Sequence, residues 1–189
     1  MLEKPEDVWS NVPENVGITY IYGAFQDQFI PHADRIRFLQ DWDHEELSVP
    51  ALLNTRDRFF VIDDAYAGAG DRIRHLMVTL SHHQNFCVIL LLHHLYSHSV
   101  KHLREINLNA TAFLLSFSPA SKSMMRTFAS QYYGGGKDTR DFFDVFDHVM
   151  DGGKYSYLCV CFSPLIPNKY RLSSFLSASE GPTVYYVKK

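Results

Sequence analysis

The sharpest candidate for chemistry in this sequence is an apolar run that ends in two carboxylates, Arg58-Phe59-Phe60-Val61-Ile62-Asp63-Asp64. A buried strand with two adjacent acids at its exit suits divalent-cation chemistry: one Asp can hold Mg²⁺, usually through water, and the next can polarise an attacking water. The same run also fits a strand that ends in Asp at a turn or helix cap. Downstream, Lys101, His102 and Arg104 form a small basic cluster, which suits either an anion or a solvated helical turn. Gly134-Gly135-Gly136-Lys137-Asp138-Thr139 looks like a phosphate-cradling loop, but Asp follows the Lys where Ser or Thr is needed, and a helix precedes it instead of a strand. It reads as a helix stop and a loop. Of the ten histidines, His82, His83, His93, His94, His98 and His102 invite a zinc reading. Adjacent pairs diverge, however, and no C-x-x-C or H-E-x-x-H spacing accompanies them, so a structural role is the simpler reading. Cys159 and Cys161 alternate on an expected strand, share a face and read as small core hydrophobes.

The elements that must position these residues alternate in the α/β manner. Apolar runs of strand length occur at Ile18 to Tyr22, Phe59 to Ile62, Phe86 to Leu92 and Thr111 to Phe117. They lack strict alternation, which predicts strands buried on both faces of a parallel sheet. Ile73, Leu76, Met77 and Leu80 recur at helical spacing between the second and third runs. The stretch Ser97 to Glu105 offers a helix or helical turn between the third and fourth. Pro119 with Ser121 starts a helix through about Tyr132, and a second runs from about Thr139 to Met150, with Phe142, Phe143, Phe146 and Val149 on one face. Both end at glycines. Tyr155 to Phe162 and Thr183 to Val187 are expected as a late strand pair at a sheet edge.

Length and composition set the bounds. The 189 residues suit one domain, 1–189, with a sizeable core, and 46% hydrophobic with 21% charged residues is globular composition. A formal charge of −3 gives no global pull toward nucleic acid, so contact with DNA must come from a local patch. Three cysteines argue against a disulfide framework and fit a reducing compartment. The opening MLEKPEDVW holds acids and no apolar run, and Phe86 to Leu92 is too short to span a bilayer. A soluble intracellular protein, with no membrane partner, is the expectation.

A longer pattern connects these pieces. Ser81-His82-His83-Gln84-Asn85, the strand Phe86 to Leu92, His93-His94-Leu95 and the stretch Lys101 to Ala110 resemble a continuous block of the packaging ATPases of Polinton/Maverick elements and adintoviruses, which belong to the FtsK/HerA type of P-loop enzyme. That block reads like S-H-H-x-N, an apolar strand, Q-N-L-F and K-H-x-R-x-I-S-L-N. Tyr155-Ser156-Tyr157-Leu158, Pro164, Arg171-Leu172 and Val184-Tyr185-Tyr186-Val187 are similar to later family motifs, and Ile18 to Gly23 with Phe25-Gln26 to an earlier strand and the W-Q after it. The resemblance covers nearly the whole chain from about residue 12.

The resemblance implies a RecA-like three-layer α/β sandwich with a mostly parallel sheet of order 5-1-4-3-2. It also implies an ATP-driven motor subunit that works as a homo-oligomeric ring on double-stranded DNA and moves a genome into capsids built of capsid proteins, in host nucleus, cytoplasm or virion. On it, Asp63 is the Walker B residue for Mg²⁺, Asp64 the catalytic carboxylate and Arg104 the arginine that reaches a neighbour's nucleotide. His93 takes the place of the family's sensor glutamine, and Ser116 to Ser121 departs from its K-N-P-R-D. Histidine is shorter than glutamine and can change charge near neutral pH. Asn109, entering the next strand, suits a polar sensor or a turn. The first strand and the G-x-x-x-x-G-K-[ST] loop that would cradle ATP have no counterpart before Ile18. The expectation is therefore a truncated, partial P-loop domain, hydrolysis-deficient by itself. Removing the first strand would either close the fourth strand onto the fifth or leave a groove. The alternative reading is a non-catalytic remnant of an integrated element that acts as an interaction module.

Overall fold

The computed structural model describes residues 12–24, 26–27, 32–66, 69–96, 101–116, 122–134, 136–153, 156–175 and 182–187. Phe25, residues 97–100 with His98, the 117–121 segment with Pro119 and Ser121, Gly135 and Tyr155 lie outside them. The chain divides into two compact units, Met1–Asn109 and Ala110–Lys189, each taken by itself below.

The first unit is a four-stranded parallel sheet with helices: β1 (Gly17–Tyr22), β2 (Ile36–Gln40), β3 (Asp57–Asp63) and β4 (Cys87–Leu91), in the order β2-β1-β3-β4. Two helices connect β2 to β3 and β3 to β4, and a third follows β4. Helix α1 is Val49–Asn54, with Ser48 as its N-cap and Pro50 in its first turn. Helix α2 runs continuously through Gly70–Arg74, a π-helical stretch His75–Leu80 and Ser81–Gln84, and Asn85 closes it in the left-handed conformation. Helix α3 is Leu103–Asn109.

The apolar residues at helical spacing do what their period predicts. Ile73, Leu76 and Leu80 are buried in one cluster with Ile21, Phe60, Ile62, Phe86 and Ile106, and Val88 and Leu90 pack against it. Strand geometry puts the alternate residues of β4, Cys87, Ile89 and Leu91, on the opposite face, and these are exposed. The expectation of burial on both faces therefore fails at β4. Among the described residues it pairs with β3 alone, and its alternate face is exposed.

Strand β2 has no apolar run to announce it. It is held by the charged end of the sheet: Asp57, buried at the start of β3, accepts hydrogen bonds from Thr19 of β1 and Arg37 of β2. Gly17 leaves room for that carboxylate, since a Cβ there would lie 2.0 Å from Asp57 Oδ1.

The second unit is built differently from the expected continuation of the parallel sheet. Strands β5 (Ala112–Leu115), β6 (Leu158–Cys161), β7 (Leu172–Ser174) and β8 (Val184–Tyr186) form an antiparallel sheet in sequence order. Helices α4 (Lys122–Tyr133) and α5 (Lys137–Met150) supply its core, with Phe128, Phe142 and Phe146 buried along with Phe113, Leu115, Leu158 and Val160. Because β5 is covered on one face, it alternates: Phe113 and Leu115 are buried, while Leu114 is exposed. Strand β4 belongs to the first sheet and β5 to the second. Gly134 and Gly136, both at positive φ, separate α4 from α5, so the glycine run is a helix stop and linker.

Candidate functional site

In a parallel sheet all strands deliver their last residues to the same edge, where the helix-bearing connections begin and ligands usually bind. Here that edge collects Tyr20 and Tyr22 from β1, Asp63 and Asp64 from β3, and the residues after Leu91, which pairs in register with Asp63. Asp63 is partly buried, and its Oδ2 accepts a hydrogen bond from the Tyr20 hydroxyl at 2.7 Å. Its Oδ1 has no hydrogen-bond partner among the described residues.

Asp64 leaves the strand with φ 53°, a left-handed conformation that Asp tolerates better than bulkier residues. This turns its carboxylate toward the end of β4, where His93 Nε2 lies 3.0 Å from Asp64 Oδ1. The Tyr66 hydroxyl approaches the same oxygen at 3.5 Å. Both members of the Asp64–His93 pair are well exposed, so the contact itself contributes little to stability.

Neighbouring residues fix the turn. A Cβ on Gly23 would lie 2.6 Å from the Asp64 carbonyl oxygen, so the end of β1 and the turn after β3 approach as closely as only glycine permits. Trp42, buried just beyond β2, donates its indole N–H to the Ala65 carbonyl, and Arg72 donates to the Trp42 carbonyl. The hydroxyl pKa values respond to this setting. Burial, with the hydrogen bond to Asp63 and the charges of Asp63 and Asp64 added, holds Tyr20 far above its ordinary value. Tyr66 is raised by burial and by Asp64.

The basic cluster divides in two. Lys101 Nζ and His102 Nε2 each lie 2.7 Å from the Asp71 carboxylate of α2, and Arg74 Nε donates to Glu105 at 2.6 Å. The Asp71 carboxyl is held below the usual carboxylate range by its hydrogen bonds from Lys101 and His102, and Glu105 by Arg74. Lys101 and His102 thus clamp α3 to α2. Arg104 is exposed and forms no ion pair or hydrogen bond among the described residues. Asn109 donates to the Glu105 carbonyl of its own helix at 2.9 Å, the behaviour of a helix-end residue.

Of the residues singled out in the sequence, the structure brings together Asp63, Asp64 and His93, while no contact ties Arg104 to them. Sequence reasoning missed Tyr20, Gly23, Trp42 and Tyr66. A Tyr two residues before the end of an apolar strand carries no signal until strand order puts it beside Asp63. Among the described residues no three His, Cys, Asp or Glu side chains converge on one point, and no helix is long and apolar enough to cross a membrane. In comparisons with family models, curated proteins and solved structures, none matched the chain.

Proposed function

We propose that the chain is a homologue of an ATP-driven DNA-packaging motor subunit of the FtsK/HerA type, with a RecA-like three-layer fold, and that it carries the Mg²⁺ and water-activating side of a nucleotide site. The observation that supports this reading most is the register of Asp63 with Leu91 in an all-parallel sheet. It sets two carboxylates beside a polar residue from the next strand. Mg²⁺ keeps several waters and takes one or two carboxylates, and Asp63 has an oxygen without a hydrogen bond among the described residues for that purpose. Bound Mg²⁺ would neutralise phosphate charge as it develops. Asp63 would anchor the ion through water, with Tyr20 fixing the carboxylate's rotamer, and Asp64 would orient a nucleophilic water. Arg104, exposed and without an ion-pair partner among the described residues, suits a role toward a neighbouring subunit in a ring on double-stranded DNA, with capsid proteins as further partners. The 189 residues hold no G-x-x-x-x-G-K-[ST] run, so turnover by this chain alone is expected at background.

A second reading, a non-catalytic interaction module, is favoured by one observation: His93 already engages the carboxylate that would polarise water. One experiment serves both. A strand, glycine-rich loop and helix from a packaging ATPase, fused ahead of residue 12, is expected to give Mg²⁺-dependent ATP binding, with DNA-stimulated hydrolysis that rises when His93→Gln frees Asp64. A fusion that folds and never binds ATP would reject the motor reading. One that binds ATP but stays inactive with His93→Gln would favour the non-catalytic one.

A further inference from the structure

We infer that the β7–β8 end of the second unit is a stacking platform for single-stranded nucleic acid, built on Tyr170, Tyr185 and Lys169. This does not rest on the nucleotide-site reading, since it concerns different residues and needs no ATP.

Alternation along β8 sends Tyr186 inward, where its hydroxyl meets Ser174 Oγ at 2.9 Å and its ring meets His148 of α5. Tyr185 must then face outward, and it is 50% exposed. The turn at residues 168–170 brings Tyr170, 37% exposed, to the same place, with ring centroids 5.6 Å apart at 68°. Lys169 Nζ stands 4.8 Å from the Tyr170 ring centroid. Two exposed rings held against each other, with an ammonium at one of them, lose little freedom when a flat, anionic polymer arrives.

Charge selects the partner. The described residues 156–175 and 182–187 contain Lys169 and Arg171 and no acid. Phosphates complement the Lys169 ammonium, and unpaired bases complement the rings. A duplex hides its base faces in its own stack, so the platform favours a single strand.

The test is fluorescence anisotropy of the full-length chain, without nucleotide, on a labelled oligothymidine of about 12 nucleotides, a length single-strand binders cover. The strand is expected to bind more tightly than the duplex of the same sequence. Tyr185→Ala should weaken binding roughly tenfold, while Tyr185→Phe, which keeps the ring, should bind like the parent. Lys169→Ala should lower the salt slope by about 0.7, one phosphate contact. Circular dichroism of each variant separates lost binding from lost folding. The proposal is overturned by absent binding, by equal affinity for strand and duplex, by a folded Tyr185→Ala that binds like the parent, or by a poly-glutamate peptide that binds as well as the oligonucleotide.

Discussion

Among single residues, the hydroxyl of Tyr20 carries the most testable consequence. It is held neutral by burial and by its hydrogen bond to Asp63. Tyr20→Phe leaves Asp63 without that donor and is expected to cost about 1 kcal/mol, read from the urea midpoint at neutral pH. The titration adds a second signature. A group whose folded pKa lies above its unfolded value of about 10 binds more protons folded than unfolded in the interval between them, so stability falls as pH rises through that interval. Below pH 10 its contribution is complete. The parent should therefore lose stability above pH 10, with Tyr133, raised mainly by burial, adding to the loss. Tyr20→Phe should show a shallower decline. Identical alkaline slopes in parent and variant would mean that Tyr20 ionises as it does in water, and that the Asp63 contact does not hold it.

At the scale of elements, close approach decides what can change. Gly23→Ala puts a methyl group against the Asp64 carbonyl and is expected to cost about 1–3 kcal/mol, as overpacking does. Gly134→Ala meets nothing within 4 Å and suffers only from φ 76°, a cost of about 1 kcal/mol. Thermal melts of the two variants compare the mechanisms directly. A Gly23→Ala variant as stable as the parent would show that β1 and the Asp64 turn are looser than described.

The α2–α3 clamp gives another element-scale prediction. The carboxyls of Asp71 and Glu105 are held below their ordinary range, so their contribution is complete above that range and is lost as pH falls below it. Asp71→Asn should speed amide exchange in Leu103–Asn109 at neutral pH while leaving α5 unchanged.

The same scale shows what the sequence discloses. Helix α2 is legible because Ile73, Leu76 and Leu80 repeat at its period and face one core. Strands β1, β3 and β4 are legible as apolar runs, and α4 and α5 by their phenylalanines and flanking glycines. Strand β2 is not, because an outer strand with Arg37 after Ile36 and Gln40 after Leu39 has only a short apolar run, and its anchor, Asp57, is 20 residues from Arg37. Strand β7 buries Ser173 and Ser174, whose polarity hides it. Strand β5 is legible as a strand but not its partner, since antiparallel pairing with β6 is a long-range choice. At the site, Asp63 and Asp64 are visible in sequence, whereas Tyr20, Gly23 and Trp42 become visible only through strand order.

At the scale of the whole molecule, apolar side chains stay exposed on β4 and β5. Cys87, Ile89 and Leu91 are exposed on an edge strand that contains no charge to discourage pairing. Ile89→Glu with Leu91→Lys is expected to reduce concentration-dependent self-association in sedimentation velocity without changing the circular dichroism spectrum. Undiminished association would move the sticky surface elsewhere, for instance to Leu114 on β5.

In the proposed function, the carboxyl edge of the parallel sheet is the metal side of a nucleotide site, with Asp63 as the Mg²⁺ anchor. Its most direct test is calorimetric titration of the glycine-loop fusion, with Asp63 intact and as Asp63→Asn, using ATP with Mg²⁺ and ATP with a chelator. A lost charge-assisted metal contact of about 1.4 kcal/mol or more corresponds to at least a tenfold change. Asp63→Asn is expected to weaken Mg²⁺·ATP binding by at least that factor without weakening metal-free ATP binding, since it removes a charge that repels phosphate. Equal affinities for Mg²⁺·ATP in the two proteins would contradict it.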